Sequence, residues 1–334
     1  MQKNQLKFIF EKRLKAISLF ILLMTFIVII KFFYIQIIQH NYFEKKSNNN
    51  SVKVVPIPPA RGIIFDRHKR ILAENKITHN LEIDPSKKID IEKIANELNP
   101  FVPITKNDLA LYQRIIKNNY FSSTVPIKTD LSKQELARFL TNKYLFNNIF
   151  LKTRLKRHYQ HKELTSHVVG YINRINQKDI KLLTKNKRLS LYKGSDHIGK
   201  RGIEQRYENL IHGIPGFEKI EVDAKGNIIR TLEKKEPIHG QDIQLSIDIE
   251  LQKKAIDAFG NRKGALVALS PHNGEILAYV SQPYFNPNLF VNGIDHKNWN
   301  ILNTNKARPL LDRVTKGLYP VSYTHLTLPT TPYV

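Results

Sequence analysis

From Ala16 to Ile38 the chain carries no Asp, Glu or Arg and one Lys, and is otherwise almost wholly apolar (AISLFILLMTFIVIIKFFYIQII). As a helix, 23 residues reach about 34 Å, enough to cross a hydrocarbon layer of about 30 Å. Lys31 stands toward one end, where its stem can reach the interface, and Tyr34 and Tyr42 suit the same boundary. Before the run come Lys3, Lys7, Lys12, Arg13 and Lys15 against one acid, Glu11. That bias predicts residues 1–15 as a cytoplasmic tail, 16–38 as a single-pass transmembrane anchor, and everything after about residue 40 on the outer side. The alternatives are a buried core helix and a cleaved signal peptide. A signal peptide needs a shorter apolar core and a small-residue cleavage site, whereas this run ends in Phe32-Phe-Tyr-Ile-Gln-Ile-Ile38.

The remaining length, in a chain of 334 residues, is enough for about two domains. Fifty-three basic residues against 29 acidic ones leave a net charge of +24. Such a surplus suits nucleic acid, anionic lipid or an acidic extracellular polymer. The Lys and Arg residues are spread along the chain with no compact basic block, which argues against nucleic acid as a partner. The absence of Cys excludes disulfides, thiol catalysis and Cys-type zinc sites.

Val52–Ile57 reads as a short strand, followed by a chain stiffened by Pro56, Pro58 and Pro59. Ile63–Phe65 and Ile71–Ala73 read as strands of a hairpin with a polar turn at Asp66–Lys69. Residues 89–117 alternate helical patterns with breaks at Pro100 and Pro103. Thr124–Thr129 and Phe150–Leu155 are strand-like, and between them Ser132 and Glu135 form a capping-box pattern that opens a helix to about Thr141. His158, His161 and His167 match no standard ligand spacing, so no metal site is expected. Gly199 to Leu210 reads as a helix entered through a glycine turn. Gly199 and Gly202 could cradle a phosphate, but neither a preceding strand nor a Gly-Lys-Ser/Thr supports it, and no cofactor site is expected. Gly213, Pro215 and Gly216 end that helix, and strands at Phe217–Asp223 and Ile228–Leu232 flank a turn at Ala224–Asn227.

From Gly240 the pattern becomes more regular. Asp242–Asp248 alternates as a half-buried strand, Ile249–Phe259 has helical spacing, and Gly264–Ser270 and Glu275–Ser281 form a hairpin around Asn273-Gly274. Strand, helix, hairpin opens an α/β or α+β domain. The roughly 80 residues of it before the tail offer too little apolar surface for such a domain to stand alone.

These pieces resemble the class B penicillin-binding proteins. The likeness runs from about Phe8 to Pro320. It is carried by Phe33-Tyr-Ile-Gln-Ile-Ile-Gln-His-Asn-Tyr-Phe43 and Pro56-Ile-Pro-Pro-Ala-Arg-Gly-Ile-Ile-Phe-Asp-Arg67. His167-Val-Val-Gly-Tyr171, Gly199–Glu204 and His212-Gly-Ile-Pro-Gly216 continue it, with Ser246-Ile-Asp248 and Leu251-Gln252 beyond. Pro283–Ile294, Arg313 and Gly317-Leu-Tyr-Pro320 complete it, and the string Pro-Asn-Leu-Phe-Val-Asn-Gly-Ile favours the elongation type over the division type. The resemblance implies a transmembrane helix, an extended α+β pedestal over residues 39–240, and the opening portion of an α/β transpeptidase domain over 241–320. It also implies a bitopic inner-membrane enzyme with its bulk in the periplasm. Such an enzyme cross-links peptidoglycan stem peptides by serine acyl transfer and is acylated by β-lactams. A membrane-embedded glycosyltransferase of the shape and elongation group and rod-shape scaffold proteins are the implied partners, beside the lipid bilayer.

Two departures from the family pattern stand out. His68-Lys69 replace the usual Asn-Gly after Asp66-Arg67, at a cost of about 1 kcal/mol if that turn needs positive φ. After Tyr319-Pro320 the family continues Pro-Gly-Ser-Thr-x-Lys, with the serine as nucleophile and the lysine one helical turn away as proton acceptor. Here Tyr323 falls at the serine position and Leu326 at the lysine position, while Ser322 is one place early and is followed three residues on by His325. No catalytic residue is therefore expected in this chain. Val321–Val334 contains no charged residue in a chain that is 25% charged, and reads as a non-native tail.

Three functions compete. One is a peptidoglycan D,D-transpeptidase whose chain, as it stands here, lacks the nucleophile and is inactive. Another is a catalytically dead, membrane-anchored scaffold of the elongation machinery. The third is a basic nucleic-acid-binding membrane protein.

Overall fold

The computed structural model describes residues 2–40, 52–84, 90–117, 124–223 and 228–319. The chain divides into two compact units, one of residues 1–55 with 218–234 and one of 56–217 with 235–334.

In the first unit, one helix runs Gln2–Phe33 and widens into a π-helical turn at Tyr34–Ile38. The stretch Ile17–Ile38 is long and apolar enough to cross a membrane, and none of it is buried in the protein. Large apolar side chains exposed all round a helix need a non-aqueous surrounding. Lys31 Nζ lies 5.5 Å from the centre of the Tyr34 ring. The same unit holds most of a three-stranded sheet in which β1 (Val52–Ile57) is followed in order by β8 (Gly216–Val222) and β9 (Ile228–Lys235). The turn expected at Ala224–Asn227 lies outside the described residues, as does Tyr42.

In the second unit, β2 (Ile64–Phe65), β3 (Ile71–Ile83), β4 (Val125–Lys128), β5 (Ile149–Tyr159) and β10 (Ile243–Gln244) form one sheet. β3 is its spine. β5 pairs with it antiparallel in unbroken register from Ala73↔Tyr159 to Ile83↔Ile149. On the other edge β2 takes the start of β3 and β4 its end, and β10 lies parallel to β2. β3 is longer than its first three residues suggest, because Glu74–Lys76 break the apolar pattern without breaking the ladder.

Two apolar cores sit along this spine. Toward Ile83, the helices Ile91–Leu98, Lys106–Lys117 and Lys133–Thr141 bury Leu98, Tyr112 and Phe139 against Leu81, Val125 and Ile149. The capping box is present as expected, with Glu135 N donating to Ser132 Oγ and Ser132 N donating to the Glu135 carboxylate. Toward Ile71, the core is built of Ile64, Leu72, Tyr159, Val169, Ile172, Ile211 and Ile249. A hairpin of β6 (Tyr171–Arg174) and β7 (His197–Arg201) carries part of it, with the helix Gln177–Lys185 between the strands.

The segment expected as a strand over Asp242–Asp248 is a strand only at Ile243–Gln244. Leu245 N still donates to Phe65 O at the end of β2, and Ile247 O accepts from Arg67 N in the turn beyond it, where β2 has ended and no ladder continues. Beyond it come the helix Ile249–Phe259 and a hairpin of β11 (Gly264–Leu269) and β12 (Ile276–Gln282), as expected.

Candidate functional site

Arg61 is held by partners more than 140 positions away, and Gly62 next to it donates its N–H to Ile211 O. Arg61 directs Nε to Glu204 Oε2 at 2.6 Å and Nη2 to Glu208 Oε2 at 2.5 Å. Glu204 and Glu208 lie four apart on the short helical turns Gly202–Arg206 and Glu208–Ile211, so both carboxylates point to one side. Arg157, on β5, completes the group with Nε on Glu204 Oε1 at 2.7 Å and Nη1 on Gly62 O at 2.8 Å. Tyr159 Oη donates to Glu204, and Tyr192 Oη donates to Glu208. Two cations face two anions; Arg157 and Glu204 are almost wholly withdrawn from water, and Arg61 and Glu208 keep about a tenth of their side-chain exposure.

Burial alone pushes the Glu204 carboxyl up, but the Arg157 and Arg61 guanidinium groups outweigh it and hold it below the ordinary glutamate range. Burial acts the same way on Glu208, and Arg61 above all overcomes it. Burial and the neighbouring Glu204 raise the Tyr159 hydroxyl well above its usual value. Removing one partner of such a group leaves an uncompensated buried charge, at about 3–5 kcal/mol.

The expected glycine-entered helix is corrected here. Gly199 belongs to β7, and the helix begins at Gly202, whose φ is 63°. A strand does precede the turn, but Glu208 Oε2 already accepts from Gly199 N at 2.9 Å, so a carboxylate occupies the place a phosphate would need. Of the three histidines considered as ligands, His158 lies on β5, His161 just beyond it, and His167 packs edge-on against Phe285. No group of three or more metal-ligating side chains occurs among the described residues.

A second joint ties the turn after β2 to the helix Ile249–Phe259. Asp66 is fully buried, and its Oδ1 accepts from His68 N and Arg70 N while Oδ2 takes Arg70 Nε at 2.6 Å. Arg70 Nη2 reaches on to Asp248 Oδ1 at 2.7 Å, and Asp248 caps the helix through Glu250 N and Leu251 N. Lys69 in this turn has φ 61°, the left-handed conformation that His68-Lys69 serve less well than Asn-Gly. Gln252 then joins the helix to the hairpin, accepting from Tyr279 N at 2.7 Å and donating to Tyr279 O.

The approach to residue 320 is built on that hairpin. Tyr279 Oη donates to Asp312 Oδ2 at 2.7 Å, and Asp312 Oδ1 caps the helical turn Arg313–Lys316. Ser281 Oγ accepts from Arg313 N at 2.9 Å. Beside this turn is an opening of about 400 Å³ lined by Phe259, Ala265, Val267, Val314 and Tyr319. Leu318 is 97% exposed. Ser322, Tyr323, His325 and Leu326, the positions around the expected nucleophile, lie outside the described residues, with the rest of 321–334.

Residues 56–245 match the Penicillin-binding Protein dimerisation domain, and the chain belongs to that family. It is similar to proteins named peptidoglycan D,D-transpeptidase MrdA: 39% identical to that of Acinetobacter baumannii over 87% of this chain and 43% of the relative, and 35% identical to that of Escherichia coli K12 over 95% of this chain and 50% of the relative. Among solved structures, a complex between penicillin-binding protein 2 and MreC from Helicobacter pylori matches at TM-score 0.67 and 27% identity, covering 78% of this chain and 49% of that one. The chain spans about half the length of the curated relatives it matches.

Arg157 and Glu208 escaped the sequence reading. The available signal was Glu204 and Glu208 at helical spacing beside a glycine turn; Arg157, inside Lys152-Thr-Arg-Leu-Lys-Arg157, looks like any other residue of a basic strand.

Proposed function

We propose that this chain supplies the anchor (16–38), the pedestal (39–240) and the opening of the transpeptidase domain (241–320) of an elongation-type peptidoglycan D,D-transpeptidase. The relatives' names and the family match over the pedestal support the parent activity: serine acyl transfer that cross-links stem peptides and is blocked by β-lactams. The anchor would sit in the inner membrane with its N-terminus cytoplasmic, consistent with the basic residues that precede it. A rod-shape scaffold protein and a membrane-embedded glycosyltransferase are the proposed partners. The Helicobacter pylori complex supports the first of these.

The single observation behind the catalytic reading is the sequence that follows Gly317-Leu-Tyr-Pro320. Tyr323 and Leu326 stand where a serine nucleophile and its lysine are due. Neither can form an acyl-enzyme by the Ser–Lys route. As it stands, the chain is therefore proposed to be inactive and to retain only the anchoring and docking roles. Labelling membranes that express it with fluorescent penicillin tests this. No labelled band is expected at 38.9 kDa, and one at that mass would overturn the assignment.

A further inference from the structure

The strand β5 is paired along one edge only. β3 takes that edge in unbroken register, and among the described residues no strand takes the other. At the end of β5 the side chain of Asn288 does what a neighbouring strand would do. Its Oδ1 accepts from Tyr159 N and its Nδ2 donates to Tyr159 O, each at 2.9 Å. Tyr159 therefore directs its N–H and C=O away from β3. Backbone direction alternates along a strand and nothing shifts the register, so Thr153 and Leu155 direct theirs outward as well. Among the described residues these groups have no hydrogen-bond partner.

The bare edge opens onto a cleft of about 750 Å³. Consecutive residues of β5, Thr153 to Arg157, line it, together with Ile172–Asn176 and Val291–Ile294. Successive residues of a strand point to opposite faces, so a cavity that touches the whole run follows the edge of β5. A strand added at the usual spacings fills about 160 Å³ per residue, so the cleft takes roughly four or five residues.

The side chains along the edge differ by face. Leu155 and its cross-strand partner Ile77 are 51% and 68% exposed, in the gap between the two apolar cores. Lys152, Arg154 and Lys156 share the opposite face with Lys76, the partner of Lys156. Glu74, Glu82 and Asp130 pair with Lys76, Arg154 and Lys156, while Lys152 is exposed and has no carboxylate partner among the described residues. A second copy of β5 would set these cations against themselves, and the tail 321–334 has no acid to offer them.

We infer that the outer edge of β5 takes an extended segment of a partner protein as an added strand, one in which carboxylate and apolar side chains alternate. Its backbone bonds to Thr153 and Leu155, its apolar side chains cover Leu155 and Ile77, and its carboxylates lie on the Lys152 face. In such additions the main-chain bonds supply affinity and the alternate side chains supply selection. The site uses no residue near the nucleophile position, so it stands apart from the transpeptidase reading.

Fluorescence anisotropy of dye-labelled peptides added to the full chain in detergent tests it. The probes are an end-blocked peptide of alternating valine and glutamate, its counterpart with lysine for glutamate, and the valine–glutamate peptide with every backbone amide N-methylated. The first is expected to bind saturably, and the other two about tenfold or more weaker. Thr153→Pro removes one outward N–H and leaves the bonds to β3 in place, and Lys152→Glu reverses the unmatched charge. Each is expected to weaken the first peptide about tenfold. Lys152→Glu lies on the surface and keeps the test decisive should Thr153→Pro fail to fold. No saturable binding up to about 1 mM, equal binding of the methylated or the lysine peptide, or unchanged affinity in Lys152→Glu would each overturn the proposal. So would self-association of the chain that Thr153→Pro abolishes, which would give the edge to a second copy.

Discussion

Arg157 Nε and Glu204 Oε1 meet at 2.7 Å with 1% and 0% of their side chains exposed. They join β5 to the turn after β7, and they enclose Gly62 O and Tyr159 Oη in the same bonded group.

Glu204→Gln is expected to destabilise the fold by about 3–5 kcal/mol, because Arg61 and Arg157 would then face each other with half their compensation lost. Thermal unfolding of the full chain in detergent measures it. A midpoint within a degree or so of wild type would mean that the joint is not closed to solvent.

Acid should loosen the same joint. Glu204 and Glu208 titrate below the ordinary glutamate value of 4.5 when folded. The unfolded chain therefore binds protons first as pH falls. The stabilisation is fully present above pH 4.5 and is lost as pH drops through the lower, folded values. Unfolding midpoints recorded from neutral to acidic pH should fall below that point, and Glu208→Gln should show a smaller acid loss from a lower starting stability.

Gly62→Ala tests how closely the chain packs where it returns to β2. A Cβ there would stand 1.9 Å from Gln241 O, so one backbone must shift. A loss of about 1–3 kcal/mol is expected, as for other overpacked sites. Amide exchange at Ile243, whose N–H donates to Ile63 O, should speed up in step.

Lys69→Gly should stabilise the protein. Relief of the left-handed conformation at φ 61° is worth about 1–2 kcal/mol, against about 0.5–1 kcal/mol of added freedom in the unfolded chain. A net gain of up to about 1.5 kcal/mol in unfolding free energy is expected, and a loss would show that the Lys69 side chain contributes contacts of its own.

The sequence made local devices visible. Ser132 and Glu135 bond across three residues, so their pattern predicts the helix start directly. Asn273-Gly274 likewise announces the last hairpin, and Gly274 has φ 72°. What stayed hidden depends on distant partners. The full length of β3 is fixed by β5, some 75 residues on, rather than by its own alternation. Ile243, Leu245 and Ile247 alternate like a strand, yet β2 ends at Phe65 and the segment beyond Gln244 faces the turn that follows it, so the apolar period overstated the strand. The Asp66–Arg70–Asp248 joint was half legible. The hairpin turn could be read from Asp66, but not the helix cap 178 residues further along that Arg70 holds.

The β3–β5 ladder has a mechanical consequence. Eleven paired positions in one register run without a bulge between the two cores. An antiparallel ladder pulled along its strands is loaded in shear, so its hydrogen bonds share the force instead of parting one at a time. At about 3.4 Å per residue, the thirteen residues of β3 make a strut of roughly 44 Å. A displacement imposed on the helices around Phe139 therefore reaches Tyr159 and the Glu204 joint as a push or a tilt, with little of it absorbed in between.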